Sequence, residues 1–283
     1  MSKKWILSGF TDEYAPEFPR QVEAACKYGL DGIEMRFVDG INVAEVSKET
    51  ILECDRRLRD NGVAVCAIGS PLGKFNLSND MDAYMETCRR VFEYANILGA
   101  KNIRMFSFYA PEDMERGERF ARTVDGLERM LTIADAFAVT LCHENERGLY
   151  GGDPDSCVQL MEHFGGRLKS VFDMGNFTLG KFDPYVAYQQ LKPYIEYFHI
   201  KDALAAGAIV PPGCGEAQIK KIITEHAEAT GAPVMISLEP HLQTFSGLNQ
   251  LVDEVKFKNP YQYPDCETAF ADAVTKLKEL IQL

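Results

Sequence analysis

The sequence predicts a closed (β/α)8 barrel, an eight-stranded parallel sheet ringed by helices, and three observations carry that reading. Short apolar runs alternate with longer amphipathic ones eight times along 283 residues, the pattern of βα units around a parallel sheet. Glycines stand where helices should stop, since "YGLDGIE", "DNGVAV", "LGAKNI" and "TGAPVM" each read helix, terminal glycine, strand. The first strand-to-helix turn lacks the G-x-G-x-x-G phosphate fingerprint, which turns the choice away from an open doubly wound sheet.

Taken in order, the first stave is "WILSGF" (Trp5 to Phe10), followed by the amphipathic "EFPRQVEAACKYGL". Stave two is "DGIEMRF", and "VSKETILECDRRLRDNG" is its helix. Stave three, "VAVCAIG", leads to a helix from about Asp80 to Leu98, and stave four, "KNIRMFSF", to one from about Pro111 to Phe137. Stave five is "AVTLCHE", with a helix near Asp153 to Phe164; stave six is "LKSVFDMG", with a helix near Pro184 to Leu191. Stave seven, "YIEYFHIKD", precedes a helix from about Ala217 to Thr230, and stave eight is "PVMISLEP". A closing helix runs from Asp265 to Leu283 after a 25-residue connection, Pro240 to Pro264. A connection this long with Phe245, Phe257, Tyr261 and Tyr263 in it reads as a lid over the site or as an interface in a homo-oligomer.

With 46% hydrophobic residues and no Pro/Gly/Ser-rich linker, residues 1–283 read as one barrel domain. The net charge of −12 repels phosphate backbones and anionic head groups, so neither nucleic acid nor a membrane surface is an expected partner. The eight cysteines are scattered with no C-x-x-C pair, which reads as reduced, core-packed thiols in a cytoplasmic protein. The N-terminus has too few apolar residues for a signal-peptide core, and nowhere do 18 apolar residues run together.

In such a barrel the chemistry collects where strands end and βα loops begin. From stave five onward those ends carry Glu144 in "LCHENE", Asp173 in "VFDMGN", His199 in "YFHIKD" and Glu239 in "ISLEPH", spaced 29, 26 and 40 residues apart. Each acid alone reads equally as the first polar residue of a loop. Four consecutive staves delivering three carboxylates and one imidazole to one rim read instead as the ligands of a single divalent ion. Oxygen donors with one nitrogen and no thiolate suit Mn²⁺, Mg²⁺ or Co²⁺ ahead of Zn²⁺. Strand parity sets Glu144 on the inward face with Cys142 and turns His143 outward, with Glu146 the second candidate. It also puts Lys201 on the His199 side and His241 on the Glu239 side. Asp202 falls off that face, as a brace for a ligand or for Lys201. Glu34, Arg36, Ser70, Lys74, Arg104 and Asn176 complete the rim; of these, Glu34, Lys74, Arg104 and Asn176, with Lys201 and His241, are the candidate substrate contacts.

The succession "GIEMRF", "IGSPLGK", "HENERGLYG", "FDMGNF", "FHIKDA" and "SLEPH" resembles the sugar phosphate isomerase/epimerase family, the xylose isomerase-like TIM barrels, from about Phe10 to Glu239. In that family the residues matching Glu144, Asp173, His199 and Glu239 bind a divalent metal. The resemblance implies proton transfer next to a ketone, with Glu144 and Glu239 facing each other across a sugar, sugar phosphate or inosose, one removing a proton and the other returning it. Return at the same carbon is epimerisation; return at the neighbouring carbon is aldose–ketose isomerisation. Epimerases of the family often carry histidine where this chain has Asn176, which brings an inosose dehydratase in as the alternative. An endonuclease IV-like hydrolase, which needs several metal-binding histidines and a basic groove, fits poorly with five histidines and an acidic chain. A non-catalytic sugar-binding barrel has no use for the retained acids.

Overall fold

A computed structural model describes residues 4–243 and 261–282, so most of the connection after stave eight, with Phe245 and Phe257, lies outside the described residues. Eight staves form one parallel sheet: β1 (Trp5–Gly9), β2 (Gly32–Met35), β5 (Ala64–Gly69), β6 (Asn102–Met105), β7 (Thr140–Glu144), β8 (Lys169–Asp173), β9 (Ile195–Ile200) and β12 (Val234–Leu238). Two hairpins, β3 (Phe37–Val38) with β4 (Ile41–Asn42) and β10 (Asp202–Leu204) with β11 (Ala208–Val210), stand on the loops after staves two and seven. The order around the sheet is β1-β12-β9-β8-β7-β6-β5-β2. The remaining seam is bridged at one residue: Asp31 gives its amide to the Leu7 carbonyl at 2.7 Å and accepts the Leu7 amide on its carboxylate at 2.8 Å. The barrel is thus nearly closed.

The helices α1 (Phe18–Tyr28), α2 (Lys48–Asp60), α3 (Met81–Leu98), α4 (Arg116–Phe137), α5 (Pro154–Phe164), α6 (Met174–Leu179), α7 (Pro184–Leu191), α8 (Ile219–Thr230) and α9 (Cys266–Ile281) surround it. Polar caps start many of them, as sequence rules demand: Asp80, Asp153, Asp183 and Asp265 each accept a backbone N–H of the first turn. The glycines expected to end helices do so: Gly29 and Gly99 take left-handed φ of 60° and 70°, where a Cβ is penalised. α6 and both hairpins were not expected. All are short pieces inside βα loops, below the length at which periodicity is readable.

Two apolar layers hold the staves. The larger fills the space between sheet and helices, and a smaller one of Ala67, Cys142, Val171, Tyr197 and Met235 lies inside the barrel. Cys142, Val171 and Tyr197 stand two residues before Glu144, Asp173 and His199, so this inner layer is the floor on which the polar strand ends rest. Register sets their height: Asp173 pairs with His199, and His199 with Ser237. Between Ile33 and Glu34 the register of β2 shifts against β5, a local irregularity of the kind that re-aims a side chain beside an active site.

Candidate metal centre and active site

Glu144, Asp173, His199 and Glu239 offer one ligand atom each, all within 4.8 Å of one another. All four side chains are buried. His199 Nε2 lies 3.2 Å from both Glu34 oxygens, and Tyr197 donates its hydroxyl to Glu34 at 2.8 Å. A carboxylate on Nε2 fixes a proton there and leaves Nδ1 as the nitrogen that faces the other three residues. Nδ1 points to Glu144 Oε1 at 3.2 Å and Glu239 Oε2 at 3.5 Å. Nδ1 and Glu239 Oε2 are both buried without an aligned hydrogen bond. Burial disfavours a charge on His199, but Glu34, Glu144 and Glu239 outweigh it and raise its pKa well above the ordinary imidazole value. A divalent ion that displaces the Nδ1 proton meets three carboxylates and one imidazole nitrogen, so the residues fit such an ion.

The two glutamates are held alike. Glu144 turns one oxygen to His199 and the other to Arg104 Nε at 3.2 Å. Glu239 turns one to His199 and the other to Arg36 Nη1 at 3.1 Å. Burial alone would favour their neutral forms, but the charges of His199 and Arg104 outweigh it and hold Glu144 at about 2. Lys201, His241 and His199 hold Glu239 well below the usual range in the same way. Both are therefore carboxylates at neutral pH. Burial wins at Asp173, which rises to about 7 despite the adjacent Lys201.

Lys201 spans the centre, its ammonium 2.8 Å from Asp173 Oδ2 and 2.7 Å from Glu239 Oε2. Burial disfavours its charge, but Asp173, Glu239 and Glu144 overcome this and raise its pKa. Asn176 completes this side: its amide donates to Glu144 Oε1 at 3.2 Å, and its carbonyl oxygen accepts from Lys201 at 3.3 Å. On the opposite side Arg36 binds three carboxylates, with Nε on Asp12 at 2.9 Å, Nη2 on Glu13 at 3.1 Å and Nη1 on Glu239. His241 Nε2 lies 3.4 Å from Glu13 and 3.6 Å from Glu239. At the mouth Lys74 pairs with Glu146 at 2.9 Å.

Around the four donors Glu34, Arg36, Arg104, Asn176, Lys201 and His241 form one connected network, with different tasks. Glu34 and Arg104 are spent on His199 and Glu144, deep in the protein at 1% and 2% exposure. Asn176, Lys201 and His241 lie around the four donors, and Lys74 and Glu146 stand further out. Asp202 braces neither a ligand nor Lys201; its oxygens accept the amides of Ala203, Gly213, Gly215 and Ala217 instead. Sequence reasoning missed Asp12, Glu13 and Tyr197. The first two stand directly after stave one, where the strand-end rule applied to staves five to eight finds them; Tyr197 has the parity of His199.

Glu34→Gln is expected to weaken divalent-ion affinity about 10- to 100-fold, because the amide is a poorer acceptor for the His199 N–H. Equilibrium dialysis against Mn²⁺ measures it.

A barrel with a buried carboxylate and histidine cluster at the C-terminal ends of its strands defines a class, and sequence comparison agrees with it. The family model for the xylose isomerase-like TIM barrel matches residues 22–257, and the chain belongs to that family. No curated protein matches the sequence significantly. Among solved structures, the probable 3-DHS dehydratase AsbF from Bacillus anthracis is 20% identical with a TM-score of 0.72, covering 96% of this chain and 98% of its own. D-psicose 3-epimerase with D-tagatose from Clostridium cellulolyticum H10 is 16% identical with a TM-score of 0.73, at 98% coverage of both chains. A xylose isomerase-like TIM barrel protein from Mycobacterium smegmatis in complex with magnesium is 15% identical with a TM-score of 0.71, covering 100% and 99%. At these identities the likeness is one of fold. Among the described residues no helix is long and apolar enough to cross a membrane.

Proposed function

We propose that this protein is a divalent-metal-dependent isomerase or epimerase of a polyhydroxy ketone, acting by proton transfer at the carbon next to the carbonyl. The observation that carries the reading is the paired arrangement of Glu144 and Glu239. They flank His199, each anchored through one oxygen to a buried arginine, with the other oxygen turned to a common centre. Glu144, Asp173, His199 and Glu239 are the residues that would hold the ion, with Mn²⁺, Mg²⁺ or Co²⁺ suited by the donor set ahead of Zn²⁺. Bound there, such an ion would supply Lewis acidity toward a substrate carbonyl and its neighbouring hydroxyl, which would acidify the C–H between them.

Proton transfer itself falls to the protein. One glutamate takes the proton from the acidified carbon, and the other returns one from the opposite side. Arg36 and Arg104 fix both in direction, so little reorganisation is needed as charge moves. The Lys201 ammonium, held protonated by its carboxylate neighbours, donates hydrogen bonds to oxygen where enediolate charge develops.

A second reading is a dehydratase of inosose type, supported by Asn176, an amide where epimerases of the family often carry histidine. It shares the first proton abstraction and ends with the β C–O bond breaking, the hydroxyl leaving as water once protonated. The AsbF structure extends that reading only as an analogy of fold. An NMR screen for solvent deuterium entering ketoses, ketose phosphates and inososes in the presence of Mn²⁺ tests both. Deuterium at the α carbon with conversion to an epimer or aldose supports the first reading, loss of water the second. No incorporation into any of them with metal bound removes both.

A further inference from the structure

We infer that the substrate of this site is an uncharged polyhydroxy ketone carrying neither phosphate nor carboxylate; the inference rests on the proton-transfer reading above. A barrel of this architecture has two kinds of anion receptor at its mouth. One is side-chain cations; the other is backbone amides in glycine-rich loops after the last staves. Among the described residues around the four donors, the cations are paired from within, and so are the amides of the loop after stave seven.

The cations come first. Arg36 distributes its guanidinium over Asp12, Glu13 and Glu239. Arg104 faces Glu144 at 3.2 Å and gives Nη1 to the Ser70 carbonyl at 2.9 Å. Lys201 lies between Asp173 and Glu239. Lys74, nearest the mouth, is 2.9 Å from Glu146 with its ammonium 4.5 Å above the Phe106 ring. A phosphate that recruited any of them would strip the cation from a carboxylate and leave that carboxylate uncompensated in a site of low dielectric. A hydroxyl makes no such demand: it donates to carboxylates and accepts from the ammonium while the pairs stay intact.

The amide receptor is the segment "PPGCGEA", residues 211–217, after the β10–β11 hairpin. Gly213 N and Gly215 N donate to Asp202 Oδ2 at 2.8 and 2.9 Å. Ala217 N and Ala203 N donate to Oδ1 at 3.1 and 2.9 Å. Four amides converging on one carboxylate form an anion nest whose occupant belongs to the chain. The fit is close, because a Cβ built on Gly215 collides with Asp202 Oδ1. Asp202, which the metal centre leaves unused, fills the nest that these amides form.

The test uses matched pairs, neutral ketohexoses and inososes against their phosphate esters, with the Mn²⁺-loaded full chain. Deuterium exchange by NMR and binding by calorimetry are the readouts. The expected result is exchange into a neutral compound with kcat/KM about tenfold or more above its phosphate ester, with inorganic phosphate at millimolar concentration leaving the rate unchanged. Glu146→Gln, which releases Lys74, is expected to narrow that gap. A phosphate ester that is the better substrate, or competitive inhibition by inorganic phosphate, overturns the inference. Calorimetry separates the two claims. Neutral compounds that bind without exchanging uphold the substrate class and overturn the proton-transfer reading, whereas binding confined to phosphate esters overturns the substrate class whatever the exchange result.

Discussion

Glu239→Gln lowers solvent-deuterium exchange into the substrate by about 10³-fold or more, the expected scale for removing a group that moves the proton itself. The amide matches the carboxylate in shape and can turn its oxygen toward Arg36, so the fold survives. It cannot accept a proton, and its NH2 end then faces Lys201 and His199, where Glu239 Oε2 now lies 2.7 Å from an ammonium and 3.5 Å from Nδ1. Two readouts divide the effect. Exchange lost with metal content retained assigns Glu239 to proton transfer, and loss of both assigns it first to holding the ion. Exchange that persists within about tenfold of wild type removes Glu239 from the proton-transfer step.

Arg36→Met destabilises the protein by about 3–5 kcal/mol, because it leaves buried carboxylates without their cation. Arg36 is 1% exposed and touches Asp12, Glu13 and Glu239, residues from two distant parts of the chain. Burial already pushes Glu13 up to about 8 with the guanidinium in place, and Arg36 is the cation that Asp12, Glu13 and Glu239 share. Arg36→Lys is not a mild change, since one ammonium cannot offer three separated donor directions. Urea denaturation measures the loss. Adding Asp12→Asn and Glu13→Gln to Arg36→Met is expected to recover much of it, because the repulsion leaves with the charges. A single variant as stable as wild type contradicts the assignment.

Architecture was legible wherever an element was long enough to repeat its pattern. Runs such as "VAVCAIG" are apolar on both faces because helices cover one and the barrel interior the other, and the glycines at 29, 62, 99 and 231 all take positive φ. The four clustered donors were legible for a different reason: each stands at the C-terminal end of an apolar stave, where a barrel gathers its site. What stayed hidden depends on distance across the barrel. Glu34 reaches His199 because β2 shifts register at Ile33/Glu34, and no local pattern encodes a shift between two staves. Arg104 reads as a rim cation on its own, and its engagement with Glu144 appears only when staves four and five are side by side. Asp202 was read by parity as a brace for the centre; its partners lie up to 15 residues ahead in a loop whose path the sequence pattern does not specify.

The central claim is that Glu144, Asp173, His199 and Glu239 hold one divalent ion. Titration of Mn²⁺ into metal-stripped protein, with free Mn²⁺ read by its electron paramagnetic resonance signal, tests it most directly. The account predicts saturation at one ion per chain and a loss of affinity of about 100-fold or more in His199→Ala. Absence of saturable binding, or unchanged affinity in that variant, would contradict it.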